Sequence, residues 1–237
     1  MKKILILGAS SDIGLLTTKT FLQNGWQVTA HYSKNYKDLK KFTNKYNNLK
    51  IFKFDLKNIT KFEKYISKNK SFLKTFDAFV GLSGYLKSTN FQNFKIKDFY
   101  DHMNVNFFSN LLITREVLKG MEKKKWGRIV LTSSIGTKFG GGKNSLPYSL
   151  SKFNNEFFPS YYKNLYSKNI TINTLQIGVT DTKLHKNIKS KNLNSRVKLI
   201  PLKRMAEPKE VANYIFYLCG KENSLLTGSV INISGGE

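Results

Sequence analysis

Short apolar runs alternate with longer, mixed segments along the whole chain. The runs that fit strands are Ile4–Leu7, Val28–Tyr32, Ile51–Phe54, Ala78–Leu82, Arg128–Thr132, Thr171–Gln176 and Val230–Ile233. The segments that fit helices are Ile13–Asn24, Tyr36–Tyr46, Ile59–Ser67, Lys97–Met121, Tyr148–Ser167 and Pro208–Leu218. Short apolar strands separated by helices are typical of βαβ units with parallel, buried strands. The pattern predicts an α/β fold, a doubly wound parallel sheet of about seven strands with helices on both faces.

Nothing in the composition divides this pattern into separate units. The chain has 237 residues, of which 40% are hydrophobic and 18 are Phe, enough for one large core. We find neither an internal repeat nor a low-complexity linker. We therefore expect a single domain over residues 1–237.

The cysteine count and the apolar runs bear on where the protein works. Cys219 is the single cysteine, which excludes an intrachain disulfide and suits a reducing compartment. The first apolar run, Ile4–Leu7, is shorter than a secretory signal requires, and no run approaches the length of a membrane span. We expect a cytoplasmic protein with no membrane partner.

The net charge of +25 raises the possibility of a nucleic-acid partner. Arginine, whose planar fork binds phosphate through two hydrogen bonds, is rare, and its positions are Arg115, Arg128, Arg196 and Arg204. The excess is lysine, spread along the chain with denser runs over 34–74 and 183–209. We expect no specific nucleic-acid partner, only non-specific polyanion binding at low salt.

Tyr148 and Lys152 place a phenol and an ammonium one turn apart on the same face of a predicted helix. An ammonium this close favours phenolate over phenol and so lowers the pKa of the tyrosine. Such a tyrosine can exchange a proton near neutral pH, as carbonyl reduction and alcohol oxidation require. Both residue types are abundant here, so the pair alone also fits two unrelated side chains on a solvated helix face.

The turn after the first predicted strand carries the sequence Gly8-Ala-Ser-Ser-Asp-Ile-Gly14. A glycine that ends a strand lets the backbone approach a pyrophosphate, and the amides that open the next helix can donate to it. Asp12 stands where the pattern G-x-x-x-G-x-G has its middle glycine. Two glycines also suit a simple strand–helix corner, but their place between the first strand and the first helix favours dinucleotide binding.

With these motifs the chain resembles the short-chain dehydrogenase/reductase family from end to end, in particular its short, single-domain, 3-oxoacyl-carrier-protein-reductase-like members. The resemblance implies a Rossmann-type sheet and no metal. The residues that match the family's catalytic positions are Asn106, Ser134, Tyr148 and Lys152. The residues that match cofactor-binding positions are Gly8, Ser10, Ser11, Asp12, Ile13, Gly14, Tyr32, Ser33, Lys34, Asp55, Leu56, Ser83, Gly84, Tyr148, Lys152, Gly178, Val179, Thr180 and Thr182.

The resemblance also implies how the four catalytic residues divide the work. Ser134 polarises a substrate carbonyl, and Tyr148 delivers a proton to its oxygen while a nicotinamide gives hydride to the carbon. Lys152 lowers the pKa of Tyr148 and binds the nicotinamide ribose, and Asn106 holds a water that links Lys152 to solvent. The implied activity is reduction of a carbonyl to an alcohol, or the reverse.

The end of the second predicted strand bears on the choice of cofactor. NAD enzymes usually place a carboxylate here to accept from the ribose 2′-hydroxyl. In this chain Tyr32 stands at that place, and Ser33 and Lys34 follow and could receive a 2′-phosphate. We expect NADP(H) in preference to NAD(H).

Several positions depart from the family pattern. The usual Asn-Asn-Ala-Gly after the fourth strand is replaced by Gly81-Leu-Ser-Gly84, and the Pro-Gly after the sixth by Ile177-Gly178. Ser134 and Tyr148 are one residue further apart than is common, which suggests an extra residue in Gly140-Gly-Gly142. Pro159 lies inside the predicted active-site helix, where it should kink the chain.

The sequence leaves the substrate open. Residues 182–201 should cover the pocket, and their Lys and Asn content suits a polar or anionic substrate. The nearest general type is a 3-oxoacyl-carrier-protein reductase, with a small carbonyl or alcohol substrate that is carrier-bound. Oxidoreduction of a sugar or sugar nucleotide, and a cofactor-sensing protein without catalysis, are the alternatives. Because relatives commonly form tetramers, a homo-oligomer, dimer or tetramer, is also expected.

Overall fold

The computed structural model describes residues 1–183 and 193–237, and within them seven strands form one parallel sheet. The strands are β1 (Lys3–Leu7), β2 (Gln27–Tyr32), β3 (Leu49–Lys53), β4 (Ala78–Gly81), β5 (Gly127–Ser134), β6 (Ile170–Ile177) and β7 (Val230–Ile233). Their order in the sheet is β3-β2-β1-β4-β5-β6-β7, and every neighbouring pair is parallel. The predicted doubly wound parallel sheet is confirmed, and each predicted strand overlaps an observed one.

Helices cover both faces of the sheet. They are α1 (Asp12–Gln23), α2 (Lys37–Thr43), α3 (Ile59–Lys68), α4 (Lys70–Leu73), α5 (Ile96–Met103), α6 (Ser109–Lys124), α7 (Leu146–Phe153), α8 (Lys163–Tyr166), α9 (Leu193–Leu199) and α10 (Pro208–Cys219). One buried cluster joins α1, α2 and α10 to one face, through Phe21, Leu39 and Ile215 among others. A second cluster joins α3, α6 and α8 to the other face, through Phe62 and Val117 among others.

The long middle helix predicted from Lys97 to Met121 is present, with one irregular turn. A π-helical turn, Asn104–Phe108, connects α5 directly to α6. A π turn inserts an extra residue and is frequent at functional sites. Here it contains Asn106, whose side chain is completely buried.

The single helix predicted over Tyr148–Ser167 is wrong, because it is interrupted after its first six residues. Helix α7 ends at Phe153, a short 3₁₀ turn Asn154–Glu156 follows, and the backbone is extended at Phe157 and at Pro159. Helical structure returns only in the 3₁₀ turn Ser160–Tyr162 and in α8. Proline lacks an amide donor and disfavours helical geometry in the residue before it, so the chain breaks here instead of kinking.

In the part of the chain that the structure covers, we find no helix that is both long and apolar enough to cross a bilayer.

Candidate active site

The glycine loop between β1 and α1 is shaped by two close backbone approaches. Gly8 has φ +74°, and a Cβ on it would lie 2.6 Å from the carbonyl oxygen of Leu82. A Cβ on Gly14 would lie 2.4 Å from the carbonyl oxygen of Gly8. Glycine is therefore required at both positions, first for the left-handed turn and then for the packing of α1 against the loop.

The N-terminus of α1 is built to present amides. Ser11 caps the helix: its hydroxyl accepts from the amide of Gly14 at 3.1 Å and donates to the carbonyl of Gly8 at 2.8 Å. The other first-turn amides have no acceptor within a helix and point out of its positive end, where a phosphate can accept from them. The loop fits the pyrophosphate of a dinucleotide.

His31 on β2 binds the backbone of this loop. Its Nδ1 accepts from the amide of Gly8 at 3.2 Å, and its Nε2 lies 3.0 Å from the carbonyl oxygen of Phe54. The imidazole must therefore be neutral, with its proton on Nε2. Burial lowers the pKa of His31 to about 4, which is consistent with that neutral form.

The remaining residues predicted to bind cofactor lie at the same edge of the sheet as the glycine loop. They lie at the carboxyl ends of four strands: Tyr32 at the end of β2 with Ser33 and Lys34 after it, Asp55 and Leu56 after β3, Ser83 and Gly84 after β4, and Gly178, Val179, Thr180 and Thr182 after β6. Because β1 and β4 are neighbours whose connections leave in opposite directions, a crevice opens at this edge. The fold brings these positions together around one crevice.

Asp12 extends the loop towards the far side of that crevice. Its carboxylate accepts from the backbone amide of Lys183 at 2.6 Å, with the Lys183 Nζ 3.8 Å from the other oxygen. The residue that replaces the family's glycine thus ties the segment after β6 to the N-terminus of α1. Of the segment expected to cover the pocket, residues 184–192 lie outside the described residues.

The four residues predicted to be catalytic converge at the carboxyl ends of β4 and β5. Ser134 ends β5, and its side chain lies near enough to the Tyr148 hydroxyl to influence the pKa of that phenol. Burial raises the pKa of Tyr148 above its usual value, while Ser134 acts in the opposite direction. The expected lowering of the Tyr148 pKa is therefore wrong for this arrangement, because loss of hydration outweighs the favourable contact.

Lys152 lies one turn further along α7, and its ammonium is buried among oxygen atoms of two strands. It donates to the carbonyls of Ser83 and Thr132 at 3.1 and 3.2 Å, and lies 3.3 Å from the Thr132 hydroxyl. Burial lowers the pKa of Lys152 to about 8. The ammonium therefore holds the ends of β4 and β5 together and is poised to lose its proton near neutral pH.

Asn106 in the π turn connects two parts of the site. Its Oδ1 accepts from the amide of Tyr85 at 2.7 Å, and its Nδ2 donates to the carbonyl of Tyr85 and to the Ser151 hydroxyl. Ser151 in turn donates to the carbonyl of Tyr148 at 2.7 Å. Both amide hydrogens of Asn106 are thus used by protein groups, which indicates a positioning role where we expected a water-binding one.

Comparison with known proteins decides the family. The family described as enoyl-(acyl carrier protein) reductase matches residues 8–237. The chain is a short-chain dehydrogenase/reductase. As a member of this family it is an oxidoreductase, as the sequence predicted.

Relatives of this short-chain dehydrogenase/reductase carry the names of carbonyl reductases. The acetoacetyl-CoA reductase of Shinella zoogloeoides is 29% identical over 236 residues, 98% of this chain and 97% of that protein. The 3-oxoacyl-[acyl-carrier-protein] reductase of Aquifex aeolicus is 31% identical over 161 residues, which are 68% of this chain and 64% of that protein. A Serratia marcescens short-chain dehydrogenase/reductase of known structure superposes with a TM-score of 0.87 at 20% identity, covering 99% of this chain and 97% of that one.

In this oxidoreductase other buried polar groups take the place of the two asparagines that the family has after β4. A Cβ on Gly81 would lie 2.5 Å from Oδ1 of Asn110, so the glycine makes room for that amide. Asn110 and Asn155 each donate to the carbonyl of Asn106 at 2.9 Å. Ser83 donates to the carbonyl of Val105 at 2.8 Å. Buried polar groups of α6, of the 3₁₀ turn after α7 and of the segment after β4 thus bind the backbone of the π turn.

The other two departures leave the backbone of the site intact. Gly178 donates its amide to Ile233 at 2.8 Å, and a Cβ there would lie 2.5 Å from Cα of Ser234. In the longer loop before α7, Gly140 and Gly141 have φ +69° and +83°. Both loops have glycine where their backbone requires it. The departures at Ile177 and in the loop before α7 therefore alter side chains more than the backbone.

Sequence reasoning missed several residues that shape this site. They are His31, Tyr85, His102, Asn110, Thr132 and Asn155. His102 and Asn110 lie four positions before and after Asn106, a spacing that places all three on one helix face. That spacing is the signal that could have identified them.

Proposed function

We propose that this short-chain dehydrogenase/reductase interconverts a carbonyl and an alcohol with NADP(H), using Ser134, Tyr148 and Lys152 as its catalytic residues. The observation that carries the proposal is the convergence of Ser134, the buried Tyr148 phenol and the buried Lys152 ammonium at one end of the sheet. These groups lie at the carboxyl ends of β4 and β5, next to the glycine loop, where an open α/β sheet binds its ligands.

Each residue has a distinct part in the proposed reaction. The bound nicotinamide supplies or accepts hydride. Ser134 donates to the carbonyl oxygen, and Tyr148 gives that oxygen its proton. Lys152 holds positive charge beside the phenol and restores its proton, and Asn106 fixes Tyr85 and, through Ser151, the start of α7.

Replacement of the phenol tests the catalytic assignment. Tyr148→Phe removes the proton donor and the ring keeps its packing, so we expect kcat to fall by about 100-fold or more while NADPH binding stays near normal. Steady-state NADPH oxidation measures kcat, and a fluorescence titration measures NADPH binding. Substantial residual turnover in Tyr148→Phe would contradict the assignment.

Three features after β2 support the preference for NADP(H). Tyr32 stands where NAD enzymes place a carboxylate, and its ring stacks on Tyr36 with centroids 5.1 Å apart. Ser33 and Lys34 follow and supply a hydroxyl and an ammonium for a 2′-phosphate. The kcat/KM for NADPH should exceed that for NADH by about tenfold or more, roughly one charged hydrogen bond. A preference for NADH would refute this part of the proposal.

A thioester-linked 3-oxoacyl group is the substrate that the relatives' names support. The named relatives act on acyl-carrier-protein-linked and CoA-linked substrates, and the surplus of lysine suits the acidic carrier. A panel of acetoacetyl-CoA, acyl-carrier thioesters, sugars and nucleotide sugars, read by NADPH oxidation, ranks the candidates. Turnover of sugars or nucleotide sugars alone would favour the alternative of a sugar oxidoreductase. Cofactor binding without turnover of any substrate would favour a cofactor-sensing protein.

A further inference from the structure

Successive turns of the middle helix hold the segment that follows β4. Asp98, His102 and Asn106 are spaced four residues apart, so they share one helix face. Asp98 binds the Lys87 ammonium at 2.7 Å, His102 accepts from the Lys87 amide at 3.2 Å, and Asn106 binds both backbone groups of Tyr85. Segment 85–87 is thus attached to this face by three side chains on successive turns, and His102 is the central one.

The hydrogen bonds of His102 define its protonation state. Its Nε2 accepts from the Lys87 amide, so that nitrogen carries no proton. Its Nδ1 lies 2.5 Å from the carbonyl oxygen of Asp98, which has no proton to give, so Nδ1–H donates. The ring is fully buried and both nitrogens are used, which leaves the neutral Nδ1–H tautomer as the one that satisfies every group.

The imidazole lies between two tyrosines of the site. Its ring centre is 4.8 Å from that of Tyr85 and 6.5 Å from that of Tyr148, with the Tyr148 ring at 75° to it. On its far side Tyr85 lies under the Lys57 ammonium, 3.8 Å from the ring centre. A displacement of His102 therefore moves packing partners of the proposed proton donor.

We propose that His102 is a positioning residue for the reaction, which in its neutral form fixes segment 85–87 and backs the ring of Tyr148. This inference rests on the proposed role of Tyr148. Protonation would put a hydrogen on Nε2 against the Lys87 amide and so break the central attachment of the segment. Activity should therefore fall when His102 becomes charged.

The charges that face His102 come from three elements and oppose one another. Asp98 and Asp101 on α5 favour the charged imidazole, whereas Lys57, after β3, disfavours it. Lys87 and Tyr85 after β4 and Tyr148 on α7 complete the surroundings. Burial is the largest influence and lowers the pKa of His102, so the neutral ring persists at neutral pH.

Two substitutions separate the acceptor from the bulk of the side chain. His102→Gln keeps an acceptor near the Nε2 position and cannot titrate, whereas His102→Leu fills similar space with no acceptor. At pH 7.5 we expect His102→Leu to lower kcat by roughly tenfold, the effect of losing one hydrogen bond to the Lys87 amide, with KM for NADPH almost unchanged. His102→Gln should keep kcat within about threefold of the parent.

The pH profile provides a readout that a purely structural role would not move. As the pH falls below 6.5, the usual imidazole pKa, the kcat of the parent should fall as one proton binds, and that of His102→Gln should stay flat. Circular dichroism over the same range confirms that both proteins remain folded. If His102→Leu does not fold, the comparison of parent and His102→Gln still decides.

Three results would overturn the inference. The first is a kcat of His102→Leu equal to that of the parent. The second is a folded His102→Gln that is as slow as His102→Leu. The third is the same fall of kcat with acid in the parent and in His102→Gln. Tyr148→Phe distinguishes this failure from that of the proposed function. If Tyr148→Phe stays active, the assignment of the proton donor is wrong, whereas an inactive Tyr148→Phe with an active His102→Leu rejects only the role of His102.

Discussion

At the residue scale, burial governs the ionisable groups of this site. His31, Tyr148 and Lys152 each have a pKa shifted in the direction of the neutral form, and burial is the first cause in every case. Two of them are also held by specific partners: His31 by two backbone groups, and Lys152 by oxygen atoms of Ser83 and Thr132. Of the three, Lys152 is the group whose pKa burial brings towards neutral pH, to about 8, whereas His31 and Tyr148 are kept neutral.

Lys152 should make the stability of the protein depend on pH. Burial lowers its pKa from 10.5 to about 8, so between these values the unfolded chain binds a proton that the folded protein has lost. The free energy of unfolding therefore rises with pH across this window, by roughly 2 kcal/mol between about pH 7.5 and 9.5. Urea denaturation at several pH values should show this rise in the parent and not in Lys152→Met.

Lys163→Met, which replaces an exposed lysine of α8, is the matched control and should keep the parent's pH dependence. The measurement stops below pH 10, since buried tyrosines such as Tyr162, whose pKa burial raises to about 12, reverse the trend above it. Parallel curves for the parent and Lys152→Met would contradict the prediction.

At the element scale, the glycine loop and α1 form one unit in which steric fit sets the geometry. The sequence predicted this unit correctly because strand, turn and helix are adjacent in the chain. The continuous active-site helix was wrong, although Pro159 signalled a disturbance. A proline marks where a helix is weakened, but tertiary packing decides between a kink and a break.

Gly14→Ala tests the steric fit of that unit. The added Cβ would lie 2.4 Å from the carbonyl oxygen of Gly8, so α1 must move away from the loop. We expect NADPH to bind about tenfold more weakly or worse, a loss of about 1.4 kcal/mol, in a titration followed by fluorescence.

Gly142→Ala is the control, because its Cβ would meet nothing closer than 3.6 Å. It should bind NADPH as the parent does. Equal affinity in Gly14→Ala and in the parent would show that the loop tolerates the displacement.

At the scale of the whole molecule, the strand order assembles the site. Residues after β1, β2, β3, β4 and β6 meet at one edge only because all seven strands run parallel. The same order leaves β7 as an edge strand, with Val230 exposed. The α6–α7 face also exposes apolar side chains, among them Leu111, Leu150, Phe153 and Phe157.

These apolar surfaces support the expected homo-oligomer. A double variant, Phe153→Glu with Phe157→Glu, places charge on side chains that are 57% and 73% exposed, so the fold should survive. We expect sedimentation to give a dimer or tetramer mass for the parent and a smaller mass for the variant. A monomeric parent, or an unchanged mass in the variant, would reject this interface.

The sequence by itself determined the strand–helix alternation, the glycine loop and the positions of Ser134, Tyr148 and Lys152. These features depend on local periodicity and short spacings, which a single sequence displays directly. Tertiary structure alone decided that the Lys152 ammonium lies between the carbonyls of Ser83 and Thr132. It also decided that His102 lies behind Tyr148 and that burial raises the pKa of that tyrosine. Such contacts join residues far apart in the chain, and packing, not spacing, sets their distances and their hydration.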